Sequence, residues 1–261
     1  MRCIYKIILT FIDKFIFLYY YTFGGDNLKI ALVDYRIDEI EKINLSKLNL
    51  EVIKCPPCNE LYYAINGHPD ILVNFIDKKT LLVHKKIDTS FIELLKKYDF
   101  NIIFSEKTLE RNYPEDIFLN AVNLKELFIH NLAYTDKSLL NSIHNKRLIN
   151  VKQGYTKCST AVVSDYAIIT NDKGIATSLI NENLDILLLP PGDILLPGLD
   201  YGFLGGTCGL LDDRHLAFYG SLEYYLYGEE VLNFLKNHNV EPIYLREGKL
   251  VDRGSLFIID R

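Results

Sequence analysis

The chain has 261 residues, 49% of them hydrophobic and 24% charged, the balance of an ordinary globular protein with enough apolar material for a substantial core. A net charge of −5 and a pI near 5.7, with no cluster of Lys and Arg, argue against a nucleic-acid-binding surface. The length fits one large closed domain or two small ones.

Residues 4–23 (IYKIILTFIDKFIFLYYYTF) are long enough to cross a bilayer and sit where a signal or anchor would. Asp13 and Lys14 lie in the middle, and each costs roughly 2.5 to 3.5 kcal/mol at the centre of an inserted helix. No small-residue cleavage site follows. A spanning helix or signal peptide is therefore the minor reading. The others are an interfacial helix and a start codon placed too far upstream. The last is preferred, because the segment reads as translated AT-rich bacterial DNA up to Asn27 and a clean strand pattern then begins. The organisation expected is an apolar extension over 1–27 and a single domain over 28–261. The compartment expected is cytoplasmic, with membrane association through residues 4–23 as the alternative if the extension is genuine.

From Leu28 onward short β-branched runs alternate with helical stretches, which implies a mixed α/β architecture. The first stretch offers a strand at 29–34, a helix at 38–47 and a strand at 50–54. A β-β-α-β pattern then recurs. Its first copy has strands at 71–75 and 80–83, a helix at 89–97 and a strand at 101–104. The next occupies 117–122, 126–129, 136–142 and 147–151, and the one after it 160–163, 167–170, 174–180 and 184–189. The last runs through 209–211, 215–219, 229–237 and 241–245. Asp70, Asp116, Cys158 and Cys208 open these four units at spacings of 46, 42 and 50 positions, close enough to a fixed period to mark one unit repeated. The first unit lacks one strand, and 255–260 is left to supply it. Pairing of that strand beside 29–34 closes a ring and removes exposed strand edges. The fold expected is thus α/β, a five-fold pseudosymmetric β/α propeller of ββαβ units closed by the C-terminal strand.

This pattern carries Asp34-Tyr35-Arg36, Gly67-His68-Pro69-Asp70, residues 150–155 (NVKQGY) running into Lys157-Cys158-Ser159-Thr160, and residues 191–198 (PGDILLPG) running on to Gly205-Gly206. With those stretches it resembles the pentein, or guanidine-modifying enzyme, superfamily, in a bacterial branch of unknown function. Members of that superfamily include arginine and agmatine deiminases, amidinotransferases, dimethylarginine hydrolases and a noncatalytic ribosome anti-association factor. In the catalytic members a cysteine thiolate attacks the guanidinium carbon, the His of a His-x-Asp motif shuttles protons, and carboxylates grip the guanidinium nitrogens. A guanidinium is planar, cationic and resonance-stabilised, so its chemistry needs bidentate acceptors and a nucleophile stronger than a neutral thiol.

The superfamily's cysteine comes from the final unit, so the resemblance implies Cys208 as nucleophile. It lies in Gly205-Gly206-Thr207-Cys208-Gly209, whose glycines let backbone N–H groups approach a ligand. His68 in His68-Pro69-Asp70 is implied as acid and base, with Asp70, Asp116 or Asp200 holding the substrate. Two departures stand against this. No Glu-Gly-Asp-like motif precedes the His, and the His falls in the second unit, earlier than in the superfamily.

Each candidate also has a plainer reading. His68 before Pro69 is a turn residue in extended geometry, Cys208 a small apolar filler, and Asp70 and Asp116 caps of strand turns. Cys158 is both a binding candidate and the rival nucleophile, one unit earlier, with Lys152 and Lys157 near enough to lower its pKa. It could instead face Cys208 as a redox or metal pair, although two sulfurs do not make a zinc site. Cys55-Pro56-Pro57-Cys58 reads as a connecting loop rather than a redox motif. Five scattered cysteines fit a reducing compartment rather than a disulfide framework. His84 and His130, at matching places in two units, reflect a shared turn geometry. The 17-residue segment 190–206, rich in Pro and Gly, is expected to wall any pocket, or else to fill the axial channel.

No cofactor or metal is expected. The functional reading is a Cys-dependent hydrolase or transferase, amidinohydrolase- or deiminase-like, acting on a small guanidino or amidino compound. The alternative is a noncatalytic binding protein for a small ligand or protein partner, which the missing carboxylate motif favours. The sequence gives no oligomeric state.

Overall fold

A computed structural model of the chain describes residues 29–260, and the expectations for residues 1–27 lie outside them. The first unit contains β1 (Lys29–Asp34), α1 (Glu39–Lys47) and β2 (Leu50–Cys55). The second contains α2 (Pro69–Leu72), β3 (Val73–Phe75), β4 (Thr80–Val83), α3 (Thr89–Lys97) and β5 (Asn101–Phe104). The third has β6 (Val122–Asn123), β7 (Leu127–His130), α4 (Lys137–Ser142) and β8 (Arg147–Asn150). The fourth has β9 (Thr160–Ser164), β10 (Ala167–Thr170), α5 (Lys173–Ser178) and β11 (Asp185–Leu188). The fifth has β12 (Cys208–Asp212), β13 (His215–Phe218), α6 (Gly228–Asn237) and β14 (Glu241–Tyr244), and β15 (Phe257–Asp260) follows.

These strands form five sheets of three among the described residues. In units two to five the first strand pairs antiparallel with the second, and the third returns through the helix to lie parallel to the second on its other side. In the first unit β15 takes the vacant place. It runs antiparallel to β1, from Lys29 opposite Asp260 to Leu32 opposite Phe257, and β2 lies parallel on the other side.

The local rules repeat with the unit. Helices α1, α3, α4 and α5 each begin behind an aspartate (Asp38, Asp88, Asp136, Asp172) whose carboxylate accepts a first-turn N–H. After α1, α3, α4 and α6 the chain passes through a left-handed residue, Asn49, Asp99, Asn145 or Asn239, the residue types that tolerate that conformation. Central strands β1, β4, β7, β10 and β13 are buried almost throughout, whereas β5, β11 and β14 expose their ends. Apolar clusters join neighbouring units, and one packs Val33 and Leu45 of the first against Ala217 and Leu245 of the fifth.

Two expected strands give much of their length to other structure. The segment 71–75 begins as the helical turn α2, with Pro69 at its first position, where a missing N–H costs nothing. The segment 117–122 contributes only its end to β6. The Leu119 and Ala121 carbonyls accept from Asn74 Nδ2 at 3.0 Å each, and the Phe118 carbonyl accepts from the Asp136 N–H at 3.1 Å. A side chain and a helix start thus satisfy backbone groups that a ladder would have used. No helix among the described residues is long and apolar enough to cross a membrane.

Candidate active site

Three side chains from the openings of two units converge. His68 precedes α2, Asp70 lies in its first turn, and Cys158 sits in the turn before β9. They are 1%, 1% and 2% exposed. The Cys158 thiol donates toward Asp70, with Sγ 3.2 Å from both carboxylate oxygens, and Asn120 Nδ2 donates to the same sulfur at 3.2 Å. One donor atom each from His68, Asp70 and Cys158 lie within 4.8 Å of one another. Neither ring nitrogen of His68 hydrogen-bonds to a described residue. Its Nδ1 is 3.8 Å from Asp252 Oδ1.

The surrounding shell fixes these groups. Asn120 Nδ2 also donates to the Asp70 carbonyl at 2.9 Å, and its Oδ1 accepts the N–H groups of Lys157 and Cys158 at 2.8 and 3.1 Å. Ser255 Oγ lies 2.6 Å from Asp70 Oδ2 and 2.8 Å from the Gly205 carbonyl, and accepts from Lys157 Nζ at 2.8 Å. Asp252 accepts the N–H groups of Phe203 and Gly254 at 2.8 and 2.9 Å. A Cβ at Gly206 would lie 1.9 Å from Asp252 Oδ1, and one at Gly254 would lie 2.2 Å from His68 Cβ. These glycines are required by the site's own side chains. Ser255 has φ of +70°, a conformation that costs a non-glycine residue about 1 to 2 kcal/mol and that its hydrogen bonds hold in place.

A cavity of about 270 Å³ opens onto His68, Cys158 and Asp252, with walls of Tyr62, Ile65, Tyr155, Leu196, Leu199 and Phe203. Asp200 and Tyr201, both exposed, form its rim. The segment 190–206 walls the cavity, as expected. None of the lining residues is Lys or Arg.

Burial pushes the Cys158 thiol well above its ordinary value, and the charges of Asp70 and Asp252 push it the same way. The resting sulfur is therefore S–H. Burial also raises Asp252, against the opposing pull of His68, and raises Asp116, against the hydrogen bond from Tyr155.

Of the residues expected from sequence, His68, Asp70 and Cys158 come together and Asp200 stands at the rim. Asp116 does not line the cavity, but it accepts a hydrogen bond from Tyr155, whose ring does. Cys208 is placed elsewhere, in a cluster with Ala161, Leu204, Leu216 and Phe218. Its Sγ is 3.6 Å from the Leu204 carbonyl, and burial pushes its thiol up to about 12. Among the described residues Cys55, Cys58, Cys158 and Cys208 are all free and buried. Burial raises Cys55 well above its ordinary value and Cys58 to about 11, so the C-x-x-C pair offers no ready thiolate. His84 Nε2 accepts the Leu109 N–H at 3.1 Å, and His130 contacts Thr135 Oγ1 at 2.7 Å and the Gly154 carbonyl at 3.1 Å. His84 thus ties the end of β4 to the loop after β5, and His130 ties the end of β7 to the loops before α4 and after β8.

Sequence reasoning missed Asn120, Asp252, Ser255, Tyr62 and Tyr155. A signal existed for one pair. Gly254, just ahead of β15, suggests a left-handed turn, with Asp252 two residues before it and Ser255 directly after.

Five ββαβ-type sheets with an Asp–Cys–His cluster at the unit openings define a protein of the pentein fold. The solved structures it resembles bear this out at the level of fold. They include SxtG, an amidinotransferase of the saxitoxin biosynthetic pathway from Microseira wollei (TM-score 0.52, 10% identity, 83% of this chain and 88% of that one). They also include the C. jejuni agmatine deiminase (0.50, 10%, 83% and 86%) and the inosamine-phosphate amidinotransferase StrB1 from Streptomyces griseus (0.52, 8%, 78% and 72%). These neighbours are guanidino-group-modifying enzymes. By sequence, residues 32–257 match the family of unknown function DUF6873, and the chain belongs to that family. No curated protein matches the sequence significantly.

Proposed function

We propose that the protein is a cysteine-dependent enzyme acting on a small cationic guanidino or amidino compound, with Cys158 as nucleophile. One observation carries this reading: the Cys158 sulfur is hydrogen-bonded to Asp70, beside His68, on the floor of a cavity that offers carboxylates and neither Lys nor Arg. The buried carboxylate of Asp252, with Asp200 at the rim and no base in the lining, calls for a cation. A guanidinium supplies one, with N–H groups for Asp252 and, at the rim, Asp200.

Its positive charge beside Cys158 favours the thiolate. The thiol proton passes to His68, and the sulfur electron pair forms a C–S bond at the guanidinium carbon while a C–N π pair moves onto nitrogen. His68 then returns the proton to the departing nitrogen as its C–N bond breaks, leaving ammonia or an amine and a Cys158 adduct. Water or an acceptor amine attacks that adduct and restores the thiol. Water gives a hydrolase, an amine a transferase.

We infer likewise that residues 28–261 act as one domain whose five sheets close a ring. The pairing of β15 with β1 and the cluster joining the first and fifth units support it. The free buried cysteines support a reducing compartment such as the cytoplasm. A second reading, binding without turnover, draws support from the raised Cys158 thiol, which is a poor nucleophile until a cation arrives. The test is ammonia, urea and amidino-transfer assays on the full chain with a panel of guanidino compounds. Turnover lost in Cys158→Ala and kept in Cys208→Ala is the result expected. Binding without product selects the second reading, and neither binding nor turnover sinks both.

A further inference from the structure

We propose that His68, Asp70 and Cys158 form a three-ligand site for a divalent cation of the zinc class, with its fourth position open to the cavity. The site shares side chains with the enzyme reading but does not depend on a guanidino substrate.

The donor set is one nitrogen, one carboxylate oxygen and one sulfur, and three protein ligands plus an open position is the arrangement of zinc sites that admit an exogenous ligand. Thiolate and imidazole together select zinc-class ions over magnesium or calcium, which prefer all-oxygen shells. Zinc–ligand bonds of about 2.0 to 2.3 Å draw tetrahedral donors to roughly 3.3 to 3.8 Å of one another. Cys158 Sγ and Asp70 already stand 3.2 Å apart, and all three donors fall within 4.8 Å. Closure therefore needs a shift of about an ångström. Rotation of side chains supplies that much.

The imidazole supplies the independent sign. His68 is 1% exposed, and neither of its nitrogens is hydrogen-bonded among the described residues. A buried polar group in that state calls for a partner, and a metal bond provides one. The outer shell is also in place. Asp252 Oδ1 lies 3.8 Å from His68 Nδ1, Asn120 Nδ2 lies 3.2 Å from Cys158 Sγ, and Ser255 Oγ lies 2.6 Å from Asp70 Oδ2. Each ligand thus has its own orienting neighbour, as metal ligands characteristically do. On binding, the ion takes the Cys158 thiolate and the thiol proton leaves to solvent, with no change of oxidation state. The sulfur pair that would attack carbon is then committed to the metal. Metal occupancy and thiol chemistry exclude one another.

Chelator-treated full-length protein, titrated with Co²⁺ and then with Zn²⁺, tests this. The expected result is one equivalent of Co²⁺, a near-ultraviolet thiolate-to-cobalt charge-transfer band, visible bands of four-coordinate intensity, and displacement by Zn²⁺. Cys208→Ser should keep the whole spectrum. Cys158→Ser should lose the charge-transfer band, and His68→Ala should weaken binding by more than about 100-fold. Asp252→Asn, which removes the carboxylate facing His68 and leaves all three ligands, should keep the spectrum and weaken binding by about 10- to 100-fold. Failure to bind one equivalent, or a charge-transfer band that survives in Cys158→Ser, overturns the proposal. If Cys158→Ser does not fold, a His68→Ala protein binding Co²⁺ as tightly as the parent overturns it equally. Zinc binding without guanidino turnover by the chelated protein removes the enzyme reading and leaves the metal site. Turnover without a cobalt–thiolate band does the reverse.

Discussion

Asn120 has both ends of its side-chain amide engaged: Nδ2 on the Asp70 carbonyl and the Cys158 sulfur, Oδ1 on two backbone N–H groups. Replacing it by Ala strands several buried groups at once, each worth about 1 to 3 kcal/mol. Asn120→Ala should therefore lose about 3 kcal/mol in denaturant titration, with Cys158 the next group affected. Asp116 offers a test of opposite character. Burial raises its folded pKa, so its contribution to stability is present below the ordinary carboxylate value and is lost as pH rises through the raised one. Asp116→Asn, which keeps an acceptor for Tyr155, should gain stability relative to the parent on going from pH 4 to pH 7, measured by melting at both. His68, Asp70 and Cys158 were legible in the sequence because each opens a repeated unit or sits in a compact motif. Asn120 was not, because it lies inside a segment that reads as a plain strand. Gly254 marks the turn that carries Asp252 and Ser255, but nothing local shows that Ser255 reaches Asp70 from 185 positions away.

At the scale of elements, the repeat was legible because it is written in short-range chemistry. Aspartate starts four of the helices, and Asn or Asp follows four of them in the left-handed conformation. Removing one cap, as in Asp88→Ala or Asp172→Ala, should cost about 1 kcal/mol by thermal or chemical melting. The strand at 117–122 was overread because Ile117, Phe118, Leu119 and Val122 are apolar for the core. Asn74, a residue of another unit, takes the Leu119 and Ala121 carbonyls in place of a ladder partner. His130 at the end of β7 carries a pH signature. Burial lowers its folded pKa to about 4, while the unfolded chain takes up that proton near the ordinary value of 6.5. Its share of stability is whole above 6.5 and is lost as pH falls toward 4. His130→Gln should be less stable at neutral pH and show a shallower decline across that window, read from denaturation midpoints.

Over the whole molecule, the contacts between the first unit and the C-terminal segment are ionic as well as apolar. Arg253, just before β15, places Nη2 3.2 Å from Glu41 Oε2 on α1, and Arg246 from the fifth unit comes to 3.7 Å of the other oxygen. Glu41 is fully buried, and that burial raises its pKa. Arg253→Met leaves the buried carboxylate half-compensated and should cost about 3 to 5 kcal/mol in equilibrium unfolding. The place of β15 beside β1 followed from counting units, since a period with one missing strand and one left over has a single economical solution. Which cysteine faces the cavity did not follow from counting, because Cys158 and Cys208 occupy matching unit openings and only their packing distinguishes them.

The turn at 252–255 and strand β15 finish two things together, the sheet of the first unit and the wall of the site that holds Asp252 and Ser255. During synthesis these residues leave the ribosome after the five units they complete. Until they do, the outer side of β1 lacks its partner, and His68 and Asp70 lack theirs. A chain that stops short of this turn therefore carries Cys158, His68 and Asp70 without Asp252 and Ser255 beside them.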